Sequence, residues 1–110
     1  MAGGPMSGGQ QPPDVKPVKV SQADYDKAKK AYEASPANDK AKKAYVVATM
    51  ELADSNMFGE DVDRKVRYKN ALQYYREVIK LDPENKQAKA NADLIVSIYK
   101  QMGRPIPGGG

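Results

Sequence analysis

Residues 68–85, Tyr68-Lys69-Asn70-Ala71-Leu72-Gln73-Tyr74-Tyr75-Arg76-Glu77-Val78-Ile79-Lys80-Leu81-Asp82-Pro83-Glu84-Asn85, decide the fold. The apolar residues at 68, 71, 72, 75, 78, 79 and 81 follow the i, i+3, i+4, i+7 spacing of one helical face. Pro83 ends that helix: it has no N–H to donate, and it disfavours helical angles at Asp82. Asn85 then caps a second helix, because its short side chain accepts from free backbone N–H groups.

A tyrosine three residues before an alanine, an aromatic four after it and a proline eight further on are Tyr68, Ala71, Tyr75 and Pro83. With these spacings the stretch resembles the second helix of a tetratricopeptide repeat. The resemblance implies that Ala71 marks a close approach of two helices and that Tyr75 fills the space one turn on.

Upstream, Ser21 opens an earlier helix with Tyr25, Ala28, Ala31 and Tyr32 on one face. Ala28-x3-Tyr32 repeats the spacing of Ala71-x3-Tyr75, but the next proline comes early, at Pro36. Ser35-Pro36-Ala37-Asn38 mirrors Asp82-Pro83-Glu84-Asn85. The helix after Asn38 carries Ala41, Ala44, Tyr45, Ala48 and Leu52 on its main stripe, with Val47 and Met50 beside it. Residues 53–60 interrupt this pattern, with Asn56 and Gly59 as breakers. Met57 and Phe58 read as an apolar plug in that connection, and the next helix is expected near Asp61.

After Asn85, Ala88, Ala92, Ile95, Tyr99 and Met102 form one stripe, and Leu94 and Ile98 a second. Gly103 stops this helix, and Pro105 and Pro107 forbid its continuation. The first helix of a tetratricopeptide repeat carries W-x2-L-G-x2-Y. Here Lys89, Ala92, Asp93 and Val96 stand at those positions, so the resemblance is carried by the second-helix pattern.

The expected architecture is all-α: four antiparallel helices near 22–34, 38–55, 61–81 and 85–102, paired as helix hairpins. The resemblance implies a right-handed stack of such hairpins. Residues 21–102 form the helical domain, with a disordered Gly/Pro-rich tail over 1–20 and a flexible tail over 103–110. Residues 1–20 also resemble the Gly-rich tether that follows the lipidated cysteine of bacterial lipoproteins, although no cysteine is present. A bacterial cytoplasm and a periplasm or cell envelope both stay open as compartments.

Composition narrows the chemistry. The 110 residues carry a net charge of +4 and contain no Cys, His or Trp. Disulfides, Cys/His zinc sites and Ser-His triads are therefore excluded within this chain. No phosphate-cradling glycine loop and no GxSxG element occurs, and the carboxylates alternate with lysines on helical faces. Neither an enzyme, a metal nor a cofactor is expected. No apolar run is long enough for a membrane span. The tyrosines fall mostly on core stripes, Tyr74 excepted, and the mild charge does not call for a nucleic-acid partner, even around Arg64, Lys65, Arg67 and Lys69.

The tetratricopeptide resemblance implies a non-catalytic protein-interaction module whose protein or peptide partner lies along a groove lined by the first helix of each repeat. In the register set by Asn38 and Asn85 that lining is Lys40, Lys43, Val47 and Met50, then Gln87, Ala90, Leu94, Ser97 and Ile98. Val47, Leu94 and Ile98 stand off the main apolar stripes, as groove residues should; the plain alternative is that they fill a tight four-helix core. The other functional expectation is a self-associating structural or cell-envelope assembly protein, with a second copy of the chain as partner. The chain has about two repeat units, where such arrays usually need three or more.

Overall fold

The computed structural model describes residues 14–109. Two copies of one turn set its layout. Ser35 sits at φ −144°, ψ 71° and Asp82 at φ −142°, ψ 82°. The N–H of Asn38 bonds the carbonyl of Ser35 at 2.9 Å, as that of Asn85 bonds Asp82 at 3.0 Å. Each asparagine then caps a helix, accepting from Ala41 N at 3.0 Å and from Ala88 N at 2.9 Å. The four helices are α1 (Val18–Ala34), α2 (Asp39–Phe58), α3 (Arg64–Leu81) and α4 (Lys86–Gln101). No strand occurs among the described residues.

Each helix packs on the next in sequence, α1 on α2, α2 on α3 and α3 on α4. The first two pairs run antiparallel by their contacts. Ser21 meets Ser55 while Tyr32 meets Tyr45; Asn70 meets Asn56 while Glu77 meets Tyr45. The all-α stack of sequential helix pairs expected from the sequence is the fold observed.

The helix ends differ from expectation, for tertiary reasons at the start of α1 and the end of α2. α1 starts at Val18, within the segment assigned to the tail. Pro17 stands at its N-cap, and its carbonyl accepts from Val20 and Ser21 N–H. The free N–H of Val18 donates to the Asp61 carboxylate at 3.0 Å, an anion placed at a helix N-terminus. Residues 1–13 of the expected tail lie outside the described residues. α2 continues through Asn56, whose amide donates to Leu52 O at 2.9 Å and accepts from Asn70 at 3.2 Å. With its side chain satisfied, Asn56 does not compete for the backbone and does not break the helix. Gly59 does end it, turning to φ −73°, ψ 151°, and a Cβ there would lie 2.3 Å from Ser55 O. α3 begins at Arg64, after Asp63 caps Lys65 N at 2.8 Å.

The core has two parts. One joins Ala53 and Met57 of α2 to Ala71, Leu72, Tyr75 and Val78 of α3 and Ala88, Ala92 and Ile95 of α4. The other is Tyr25, Tyr45, Ala48 and Leu52, between α1 and α2. Tyr74 packs against both, and its ring stands edge-on to Tyr25 at 5.4 Å. Ala71 and Tyr75 have no exposed surface, as the close-approach reading requires. In α1 the equivalent pair is not Ala28 and Tyr32, which are only half-buried. It is Ser21 and Tyr25, two turns earlier and both buried. Met57 is buried and Phe58 half-buried against the first cluster, as expected of a plug, but they do so from the last turn of α2 and not from a connection between helices.

Candidate functional site

The face expected to bind a partner belongs to α2 and α4. α2 turns Tyr45, Ala48, Thr49, Leu52 and Ala53 into the protein. This leaves Lys40, Lys43 and Val47 exposed, and Met50 half-buried against the α3–α4 core. α4 buries Ala88, Ala92 and Ile95, and Gln87, Ala90, Leu94 and Ser97 are exposed while Ile98 is half-buried. Val47 exposes 56% and Leu94 50% of its surface, so neither is core.

Lys43 and Val47 come together in an open cleft of about 550 Å³. Asp39, Lys42, Val46, Leu81 and Asp82 complete its lining. The apolar part is Val46, Val47 and Leu81; the two lysines and two aspartates of the lining balance in formal charge. No α4 residue contributes to that cleft, and the α4 candidates lie apart from it, four exposed and Ile98 half-buried. Register counting does not find Val46 and Leu81. They meet because the end of α3 returns beside the start of α2, and only Leu81's place before the Asp82-Pro83 turn signals it.

A second constellation lies between α1, α2 and α3. The phenols of Tyr25 and Tyr45 both donate to the Glu77 carboxylate, Tyr25 at 2.7 Å and 3.0 Å to its two oxygens. Burial, then the bond to Glu77, pushes the Tyr45 phenol up to about 12 and raises that of Tyr25 too. The Tyr75 phenol is raised by burial and by its bond to Asp54, and burial raises the Asp54 carboxyl in turn. Phenols held this way are donors at neutral pH, not bases. They join α1 and α2 to α3, and α2 to α3 again through Tyr75. Beside Glu77, Lys29, Tyr32, Gln73, Arg76 and Lys80 line an open cleft of about 500 Å³.

The arrangement is that of a helical-repeat stack: sequential hairpins, one Pro-Asn turn used twice, and exposed aliphatics on the second and fourth helices. Residues 65–85 match the tetratricopeptide repeat family model, which covers α3 and the turn that caps α4. The chain therefore contains a tetratricopeptide-like segment, and that motif is one of protein-interaction modules. No curated protein and no solved structure matches the chain. No described helix is long and apolar enough to cross a membrane.

Proposed function

We propose that the chain is a non-catalytic scaffold that binds a protein or peptide segment on its α2–α4 face. The observation that carries this reading is the exposure of Val47 and Leu94 on the two helices that the tetratricopeptide resemblance assigns to the groove. Val47 lies half open in the cleft with Val46 and Leu81, and Leu94 half open on α4; large aliphatic side chains so exposed gain by being covered. The occupant spans from the Val46–Val47–Leu81 cleft on one side to the Leu94–Ile98 strip on the other.

A photo-crosslinker placed at Val47 or at Leu94 in the native host should capture one and the same protein, and one at Lys30 of α1 should not. The purified partner should then bind the Val47→Lys/Leu94→Lys chain on the order of tenfold more weakly, as for loss of an interface anchor. Unchanged affinity of that variant would refute the groove. Crosslinks joining two copies of this chain would instead support the self-associating role, and equilibrium sedimentation of the same variant would then show the dimer split.

A further inference from the structure

Beyond Gln101 the chain doubles back on itself. Gly103 takes φ +67°, in the left-handed region. Its N–H bonds Lys100 O while that of Arg104 reaches Tyr99 O, both at 3.0 Å. These paired bonds close a helix on a glycine and redirect the chain. Arg104–Gly109 then return to α3. Ile106, between two prolines, packs against the α3–α4 core cluster. Arg76 of α3 grips the backbone beyond it: Nη1 donates to Pro107 O at 2.7 Å and Nη2 to Gly109 O at 2.6 Å. Gly108 takes φ +72°, and a Cβ there would lie 2.8 Å from Arg76 Nη1, so glycine admits the guanidinium this closely. A cavity of about 330 Å³ walled by Lys69, Leu72, Gln73 and Arg76 remains between this strap and the helix.

The contact has the parts of a peptide-binding site. Two charge-assisted bonds read main-chain carbonyls. One aliphatic side chain fills an apolar position. The flanking prolines restrict the backbone beforehand, which lowers the entropy lost on docking. None of these features depends on the covalent link to α4.

We propose that this face of α3 is a binding site for a turned Pro-Ile-Pro-Gly segment, closed by the Gly109 N–H to Ile106 O bond of 2.9 Å, held in cis by residues 104–109 and able to take the same segment from a second copy of the chain. It is distinct from the α2–α4 face. The short tether gives the cis strap an effective concentration of order millimolar, so the strap competes with any free segment.

A labelled peptide with the sequence of residues 103–109 tests this on the full chain. Ile106→Asp releases the chain's own strap, and that variant should bind the peptide at least roughly tenfold more tightly than the parent chain does. Adding Arg76→Ala should weaken binding again by about tenfold or more, as expected for losing two charge-assisted bonds. A peptide carrying Asp in place of Ile should not bind. The proposal is overturned if folded Ile106→Asp does not bind the peptide, if it binds no better than the parent, or if Arg76→Ala changes nothing. Should Ile106→Asp fail to fold, Arg76→Ala alone decides the matter. Its Gly109 amide, bonded to Ile106 O in the strap, should exchange faster with solvent than in the parent, and equal exchange overturns the proposal.

Discussion

The two helix hairpins share a turn and are held together by different physics. Between α3 and α4 the buried residues are Ala71, Leu72, Tyr75, Val78, Ala88, Ala92 and Ile95, almost wholly apolar. Between α1 and α2 the contact begins at a buried pair of hydroxyls, Ser21 and Ser55, 2.6 Å apart. It continues through Tyr25, Tyr32 and Tyr45, two of which donate to Glu77 of α3. The α3–α4 pair depends on filled volume. The α1–α2 pair depends on satisfied polar groups, one of them supplied by a third helix. One repeat geometry is thus specified by shape in one place and by hydrogen bonding in another.

The largest expected effect breaks the apolar half. Tyr75 is fully buried where α2, α3 and α4 meet. Tyr75→Ala should cost about 3–5 kcal/mol in urea unfolding, the range for deleting a buried aromatic. A loss smaller than that of Glu77→Ala would mean that volume is not what holds this half.

Removing the acceptor tests the polar half. Glu77→Ala leaves the phenols of Tyr25 and Tyr45 without their carboxylate and should cost about 1–3 kcal/mol. Glu77→Gln, which keeps an acceptor oxygen, should recover part of that. The same cluster predicts an alkaline limit. The Tyr45 phenol rises from 10.0 unfolded to about 12 folded. Its stabilising contribution is therefore whole below pH 10 and is lost as pH rises through the folded value. Those of Tyr25 and Tyr75 are raised as well. Melting temperature should fall from about pH 10 upward, in step with phenolate absorbance. Ionisation of all the tyrosines near pH 10 with no loss of melting temperature would contradict the buried, donor-locked phenols.

The next effect concerns which residues are equivalent in the two halves. Ser21→Leu and Ala71→Leu should each cost about 1–3 kcal/mol by overpacking, because both sites have no free surface. Ala28→Leu, at a half-buried site, should stay within about 0.5 kcal/mol. If Ala28→Leu proves the costlier of the α1 changes, the buried pair in α1 is Ala28 and Tyr32 after all.

That series marks where the sequence was legible. Ala71 and Tyr75 announce themselves by apolar period, and the Pro-Asn turns by chemistry that acts within a few residues. Ser21 does not, because a serine before a helical pattern looks like a cap. Its burial depends on Ser55, 34 positions away. α1's start at Val18 likewise depends on Asp61, 43 positions on, and Asn56 is helical because Asn70 meets it. On the candidate face, Val47 and Leu94 were readable from their places off the main stripes. The strap was not: Gly and Pro around Ile106 signal an irregular chain, and nothing local says that Arg76 will hold it.

The smallest effect sharpens the one feature the halves share. Asn38 and Asn85 cap α2 and α4 with nearly the same bond, 3.0 Å to Ala41 N and 2.9 Å to Ala88 N. Replacing either by Ala removes one accepted N–H and should cost about 1 kcal/mol. Asn38 is exposed and Asn85 half-buried, so water replaces the lost acceptor more readily at Ala41 than at Ala88. Asn85→Ala should therefore cost at least as much as Asn38→Ala. The two caps sit on different helices and share no partner, so the double variant should equal the sum within about 0.5 kcal/mol. Urea unfolding of the two single variants and the double decides it. If Asn38→Ala is costly and Asn85→Ala is neutral, the turns are alike in shape alone, and α4 is held by its apolar face without its cap.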